Sequence, residues 1–175
     1  QNVFGLPDDN AVPVIGMISR LTSQKGLDLV ESIFDSLMQR DLQIVLRGSG
    51  EARYEQFFRA GAARYPGRIG ARIGFDEPLA HQIEAGADIF LMPSLYEPCG
   101  LNQMFSLKYA TIPIVRAVGA LKDTVQRYDA DTETGTGFVF DRYEAQELLD
   151  TIDESLSVFR NKRAWTELQR RAMAM

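Results

Sequence analysis

Two side-chain types are almost missing from this sequence: there is one cysteine, Cys99, and one histidine, His81. A single cysteine excludes an internal disulfide and a multi-cysteine metal site, and a single histidine leaves no basis for a His-based metal cluster. Long apolar runs are missing too. Stretches such as residues 89–92 are far too short to cross a bilayer. No basic segment followed by an apolar one opens the chain, so no signal peptide is expected. Positive charge is in deficit, with 19 Lys and Arg against 24 Asp and Glu, a net charge of −5. Such a chain has no global attraction to nucleic acid or to an anionic membrane, and any phosphate it binds must be held by a few local cations and backbone N–H groups. Repeats, low-complexity tracts and long linkers are also absent. These absences together suit a cytoplasmic protein without a structural metal.

What is present is a globular composition, 45% hydrophobic and 25% charged over 175 residues. That is enough for one domain, residues 1–175, with a substantial core. Short Ile- and Val-rich runs at 14–18, 42–46, 69–73, 88–92, 112–116 and 137–140 are mostly apolar on both faces, as buried parallel strands are. Between them, residues 26–39, 51–64, 77–85, 101–109 and 121–127 read as amphipathic helices, and 144–159 and 162–173 close the chain. Six strands alternating with helices predict an open, doubly wound, Rossmann-like parallel sheet of the α/β class. Ligands of such sheets sit beyond the carboxyl ends of the strands, here at loops 19–25, 47–50, 74–76, 93–100 and 117–120.

The first of these loops sets Arg20 and Lys25 on either side of a helix start, whose free N–H groups and dipole favour an anion. A diphosphate fits this arrangement; the alternative is a pair of solvated surface charges. Gly48-Ser49-Gly50 allows close backbone approach to a ligand, or else forms a tight turn at a helix cap; it is not a Gly-x-Gly-x-x-Gly fingerprint. Phe75 can stack on a base or join the core. Asp76 reads as a helix N-cap, and His81, one turn on, as a packed or surface residue. Glu97 lies between Tyr96 and Pro98, just before a helix beginning near Leu101. Pro98 stiffens the backbone there and Gly100 permits close approach. Glu97 either complements the helix dipole or hydrogen-bonds sugar hydroxyls while N–H groups of the next helix meet phosphate. Cys99, with no histidine partner, reads as packing and not as a nucleophile.

Four segments carry a family resemblance. Ser19-Arg20-Leu21-Thr22-Ser23-Gln24-Lys25-Gly26-Leu27-Asp28 resembles the S-R-L-T-x-Q-K-G-L-D segment of glycogen and starch synthases. The run from Ala80-His81 to Pro93-Ser94 is similar to the helix and strand that follow there. Glu97-Pro98-Cys99-Gly100-Leu101-Asn102-Gln103 resembles the E-P-C-G-L-x-Q signature, and Thr134-Gly135-Thr136-Gly137-Phe138 the closing G-T-G-F strand. The matches keep family order and span nearly the whole chain. The resemblance implies the C-terminal, donor-binding domain of a GT-B glycosyltransferase, an enzyme of two Rossmann-like domains with the active site between them. It further implies a retaining transfer of glucose from ADP-glucose to the non-reducing end of an α-1,4-glucan, without a metal or other cofactor. The location implied is cytoplasmic, or plastidic in a plant. The glucan acceptor would be held by the N-terminal domain, which these residues do not include, so this chain alone is expected to be inactive.

By position, the resemblance carries phosphate binding to Arg20 and Lys25 and the essential sugar-binding carboxylate to Glu97. Backbone groups of Cys99, Gly100 and Leu101 would cradle the sugar and distal phosphate. Ser19, Gly48, Ser49, Gly50, Phe75 and Gly119 complete the donor-binding set. Three positions depart from the family. Phe75 stands where Tyr is common, so stacking survives and the phenol is lost. Val118-Gly119-Ala120 replaces a Thr-Gly-Gly, removing a hydroxyl and a glycine near the donor. Phe105, eight residues beyond Glu97, replaces the second glutamate of many related enzymes. A transferase with another nucleotide-sugar and a non-catalytic nucleotide-binding module are the competing expectations.

Overall fold

The computed structural model describes residues 1–175. Its six strands are β1 (Val14–Leu21), β2 (Gln43–Gly50), β3 (Ile69–Ile73), β4 (Ile89–Met92), β5 (Ile112–Arg116) and β6 (Phe138–Phe140). They form one parallel sheet in the order β3-β2-β1-β4-β5-β6. The expected doubly wound architecture is therefore the one observed. Seven helices connect and cover it: α1 (Leu27–Leu37), α2 (Ala52–Arg64), α3 (Glu77–Gly86), α4 (Asn102–Lys108), α5 (Gly119–Thr124), α6 (Ala145–Arg160) and α7 (Lys162–Met173).

Both faces of the sheet are buried, which is why its strands read as near-continuous apolar runs. On one face Ile15, Met17, Ile44, Leu46, Ile112 and Ile114 pack under α1, α2, α6 and α7. On the other, Val14, Ile18, Val45 and Phe90 pack under α3 and α5. Helix α1 shows how pattern becomes packing. Leu27, Val30, Ile33, Phe34 and Leu37 recur at helical spacing and are all buried, while Asp28, Glu31 and Asp35 lie on the other side. A fully buried apolar side chain contributes about 1.5–3 kcal/mol. Truncating the wholly buried Phe90 to Ala would cost roughly 3–5 kcal/mol, enough to remove much of the stability of a domain this size.

Asp88 joins the two halves of the sheet. Its Oδ2 accepts the Val14 N–H at 2.8 Å, and its own N–H donates to the Val14 carbonyl at 2.9 Å. Burial raises the pKa of this carboxyl, and the Val14 N–H partly opposes the rise. The order of strands reverses between β1 and β4, so the loops leaving these two neighbours diverge and leave a crevice at their carboxyl ends.

Strands β1 and β2 run further than expected. Ser19, Arg20 and Leu21 pair in register with Gly48, Ser49 and Gly50, so these residues belong to the sheet and not to loops. The glycines make this possible. A Cβ on Gly48 would stand 2.1 Å from the Ser19 carbonyl oxygen, and one on Gly50 would stand 2.5 Å from that of Leu21. Glycine is needed here for strand against strand, and the tight turn read from Gly48-Ser49-Gly50 is corrected accordingly. Helix α5 likewise begins at Gly119, two residues before the expected start.

Candidate functional site

The crevice between β1 and β4 opens into a cavity of about 550 Å³. Its walls come from the end of β1, the β3–α3 connection, α3 and the loop from Pro93 to Leu101. Ser19, Arg20, Lys25, Phe75, Glu97, Cys99, Gly100 and Leu101 all line it. Gly48, Ser49, Gly50 and Gly119, grouped with them from sequence, do not.

Lys25 and Glu97 meet inside the cavity. Lys25 Nζ donates to Glu97 Oε2 at 2.7 Å, and Ser94 Oγ donates to the same oxygen at 3.2 Å. Glu97 is only 5% exposed. The two loops are also tied through their backbones. The Leu95 N–H donates to the Gln24 carbonyl at 2.9 Å, and Gln24 Nε2 donates to the Tyr96 carbonyl at 3.3 Å. Arg116, at the end of β5, donates to the carbonyls of Ser94 at 3.0 Å and Leu95 at 2.7 Å. A third bond from Arg116 reaches the Asp141 carbonyl, fastening this loop to the segment after β6. Tyr143 lies under the Arg116 guanidinium and donates to Asp28 Oδ1 on α1. Burial and that acceptor push the Tyr143 pKa upward.

Gly119 supports Glu97 from behind. It has φ of 51°, and a Cβ there would stand 2.0 Å from the Glu97 carbonyl oxygen. The Ala120 N–H donates to that carbonyl at 3.3 Å. The segment that departs from the family pattern therefore acts on Glu97 through backbone contact, outside the cavity.

The other side of the cavity is open. Arg20 is exposed and takes part in no ion pair or side-chain hydrogen bond. Ser19 Oγ and Arg47 Nε are buried without a partner. Phe75 is 84% exposed, so it is not core, and the Arg47 guanidinium carbon lies 4.6 Å from its ring centroid. Asp76 caps α3 as expected, its Oδ1 accepting the Leu79 N–H at 3.0 Å. On the helix it caps, His81 and Glu84 line the cavity wall. His81 Nδ1 lies 3.2 Å from Glu84 Oε2, and the His81 ring meets Phe105 edge-on. Burial raises the Glu84 pKa, with the His81 hydrogen bond opposing it. No group of three or more His, Cys, Asp or Glu side chains is placed to hold a metal ion. No helix is long and apolar enough to cross a membrane.

Sequence reasoning missed Arg47, His81 and Glu84 as wall residues. A signal existed for Arg47, a charged residue ending an otherwise apolar strand run. For the α3 pair the signal was the three-residue spacing of His81 and Glu84 on one helix face.

Fold and cavity together define a Rossmann-like α/β domain with a ligand-sized cavity where its strand order reverses. The signature of the family described as glycosyl transferases group 1 matches residues 3–171, and the chain belongs to that family. Within it, the chain is 55% identical over 173 residues to a glycogen synthase of Geobacillus thermodenitrificans, covering 99% of this chain and 36% of that protein. It is 56% identical over 174 residues to a glycogen synthase of Anaeromyxobacter dehalogenans, at the same coverage. Its structure superimposes on the catalytic domain of starch synthase IV from Arabidopsis thaliana, solved with ADP and acarbose bound, with a TM-score of 0.91 and 29% identity. That match covers 99% of this chain and 37% of the other, so the chain spans a little over a third of the proteins it resembles.

Proposed function

We propose that this chain is the donor-binding half of a retaining glucosyltransferase that moves glucose from ADP-glucose to the non-reducing end of an α-1,4-glucan. The observation that carries the reading is the Lys25–Glu97 ion pair in the β1–β4 cavity, within a chain 55% identical to a glycogen synthase. Three features suit a nucleotide sugar. Glu97 is a carboxylate held in place by Lys25 and Ser94, able to orient sugar hydroxyls and support the cationic sugar of the transition state. Lys25 uses one N–H on Glu97 and keeps two donors for the diphosphate beside it. Arg20, unpaired, is free to meet the same anion. Charge grows on the departing ADP as the glycosidic bond breaks, and cations beside the diphosphate stabilise it. Arg20 and Lys25 fill this role in the reading, without a metal, so a chelator should leave ADP affinity unchanged. The exposed Phe75 supplies the stacking face for the base.

The glucan acceptor belongs to the remainder of the full-length enzyme. One wall of the cleft cannot hold acceptor and reacting carbon together, so the 175-residue chain should bind nucleotide and transfer nothing. Titration calorimetry with ADP, UDP and ADP-glucose tests the reading. Tighter binding of the adenine ligands supports it, preference for UDP transfers the site to another donor, and no binding of any ligand removes the nucleotide assignment.

A further inference from the structure

Arg47 is the least satisfied side chain at the cavity. It makes no ion pair and no hydrogen bond, and its Nε–H is buried with no acceptor. In the sheet its register neighbours are Ile18 on β1 and Arg72 on β3, neither of whose side chains can accept a hydrogen bond. Its one favourable contact is with Phe75, over whose ring the guanidinium lies at 4.6 Å. The pair lines the cavity together, and the Phe75 ring is 84% exposed. A buried donor without an acceptor is costly, and a guanidinium offers a planar fork of donors and no acceptor. A phosphate would use the charge and leave the aromatic face idle. A flat heteroaromatic ring with in-plane acceptor nitrogens would use both, stacking on the exposed ring and meeting the N–H groups at its edge.

We propose that Arg47 is a nucleobase-contacting residue. With Phe75 it forms a platform at the outer end of the cavity that holds the purine of a nucleoside diphosphate, separate from the phosphate cations Arg20 and Lys25. The inference rests on the nucleotide reading above and adds a side chain that the family pattern did not supply. It also gives this chain a means of compensating for the phenol missing at Phe75.

The test is calorimetric titration of the 175-residue chain with ADP and with inorganic pyrophosphate, in the wild type, Arg47→Leu and Arg47→Lys, with thermal melts to verify folding. Arg47→Leu should weaken ADP by roughly three- to thirtyfold, the range of a partly desolvated cation–aromatic contact, and leave pyrophosphate unchanged. Arg47→Lys, which keeps charge but not the planar fork, should show the same selective loss; it carries the test should the leucine variant fail to fold. Equal losses for ADP and pyrophosphate would make Arg47 a phosphate cation and overturn the proposal. So would full rescue by lysine, or unchanged ADP binding in both variants. A wild type that binds pyrophosphate but not ADP would overturn the nucleotide reading along with it.

Discussion

The two sides of the cavity are built in opposite ways. Around Glu97 nearly every group is engaged: Lys25 and Ser94 hold its carboxylate, Ala120 its carbonyl, and Arg116 the loop before it. Around Phe75, Arg20 and Arg47 have no anionic partner and the aromatic ring stands in solvent. The first side is complete through its own contacts, as suits groups that must act on a transition state without rearranging. The second side leaves charge and stacking area unused, as suits groups that gain their partners on binding. Substitutions on the closed side should therefore register in stability as well as function, and those of Arg20 and Arg47 on the open side in ligand binding with little change in stability.

The largest effect should follow from breaking the closed side at its centre. In the full-length enzyme Glu97→Gln keeps the shape and removes the charge, and turnover should fall roughly a hundredfold or more. ADP affinity should not fall, because Lys25 is then released from its carboxylate. Near-normal turnover in a steady-state assay would take Glu97 out of the chemistry. Lys25→Ala should come next. It leaves a buried carboxylate without its cation, costing about 3 kcal/mol of stability, the low end for a buried pair, and also weakens ADP. Loss of ADP affinity with an unchanged melting temperature would show that the ion pair supports nothing in the free protein.

Gly119→Ala tests the backbone support. The new Cβ would overlap the Glu97 carbonyl at a left-handed φ, so a loss of about 2 kcal/mol, or roughly 4–8 °C in Tm, is expected by calorimetry. Turnover of the full-length enzyme should fall with it as Glu97 shifts. Arg20→Ala sharpens the comparison from the open side. With no partner to abandon, it should change stability by less than about 0.5 kcal/mol. ADP should weaken about tenfold, the scale of one charge-assisted bond to a phosphate. A matching drop in melting temperature would place Arg20 in the structure and not in the site.

Glu84→Gln should have the smallest effect, visible only against pH. Burial raises the Glu84 pKa above its ordinary value of 4.5, so the folded state holds this proton more tightly than the unfolded one. The wild type therefore loses stability as pH rises from that ordinary value through the raised one. A glutamine carries no such penalty, so the variant's melting temperature should gain on the wild type across that interval and match it below. A gap that widens toward acid would reverse the assignment.

Much of this was legible in the residues. The runs at 69–73 and 112–116 coincide with β3 and β5, because strands buried on both faces announce themselves by composition. Asp76 before α3 was readable as a cap because capping is a contact between residues three apart. The ends of β1 and β2 were not readable. Polar and glycine residues there look like loop until the strands are paired, and only pairing shows that Gly48 and Gly50 make room for β1 carbonyls.

By itself the sequence determined the alternation of elements, the two apolar faces of the sheet and the segments that mark the family, since each is a property of neighbouring residues and their periodicity. The tertiary structure alone decided that β1 lies beside β4, and hence that Lys25 meets Glu97, a residue 72 positions away in the sequence. It alone decided that Arg47 covers Phe75 and finds no other partner. Such contacts depend on which strands become neighbours and on what they leave unpaired at their ends. No local pattern encodes that, because the free energy that sets strand order is spread through the whole core.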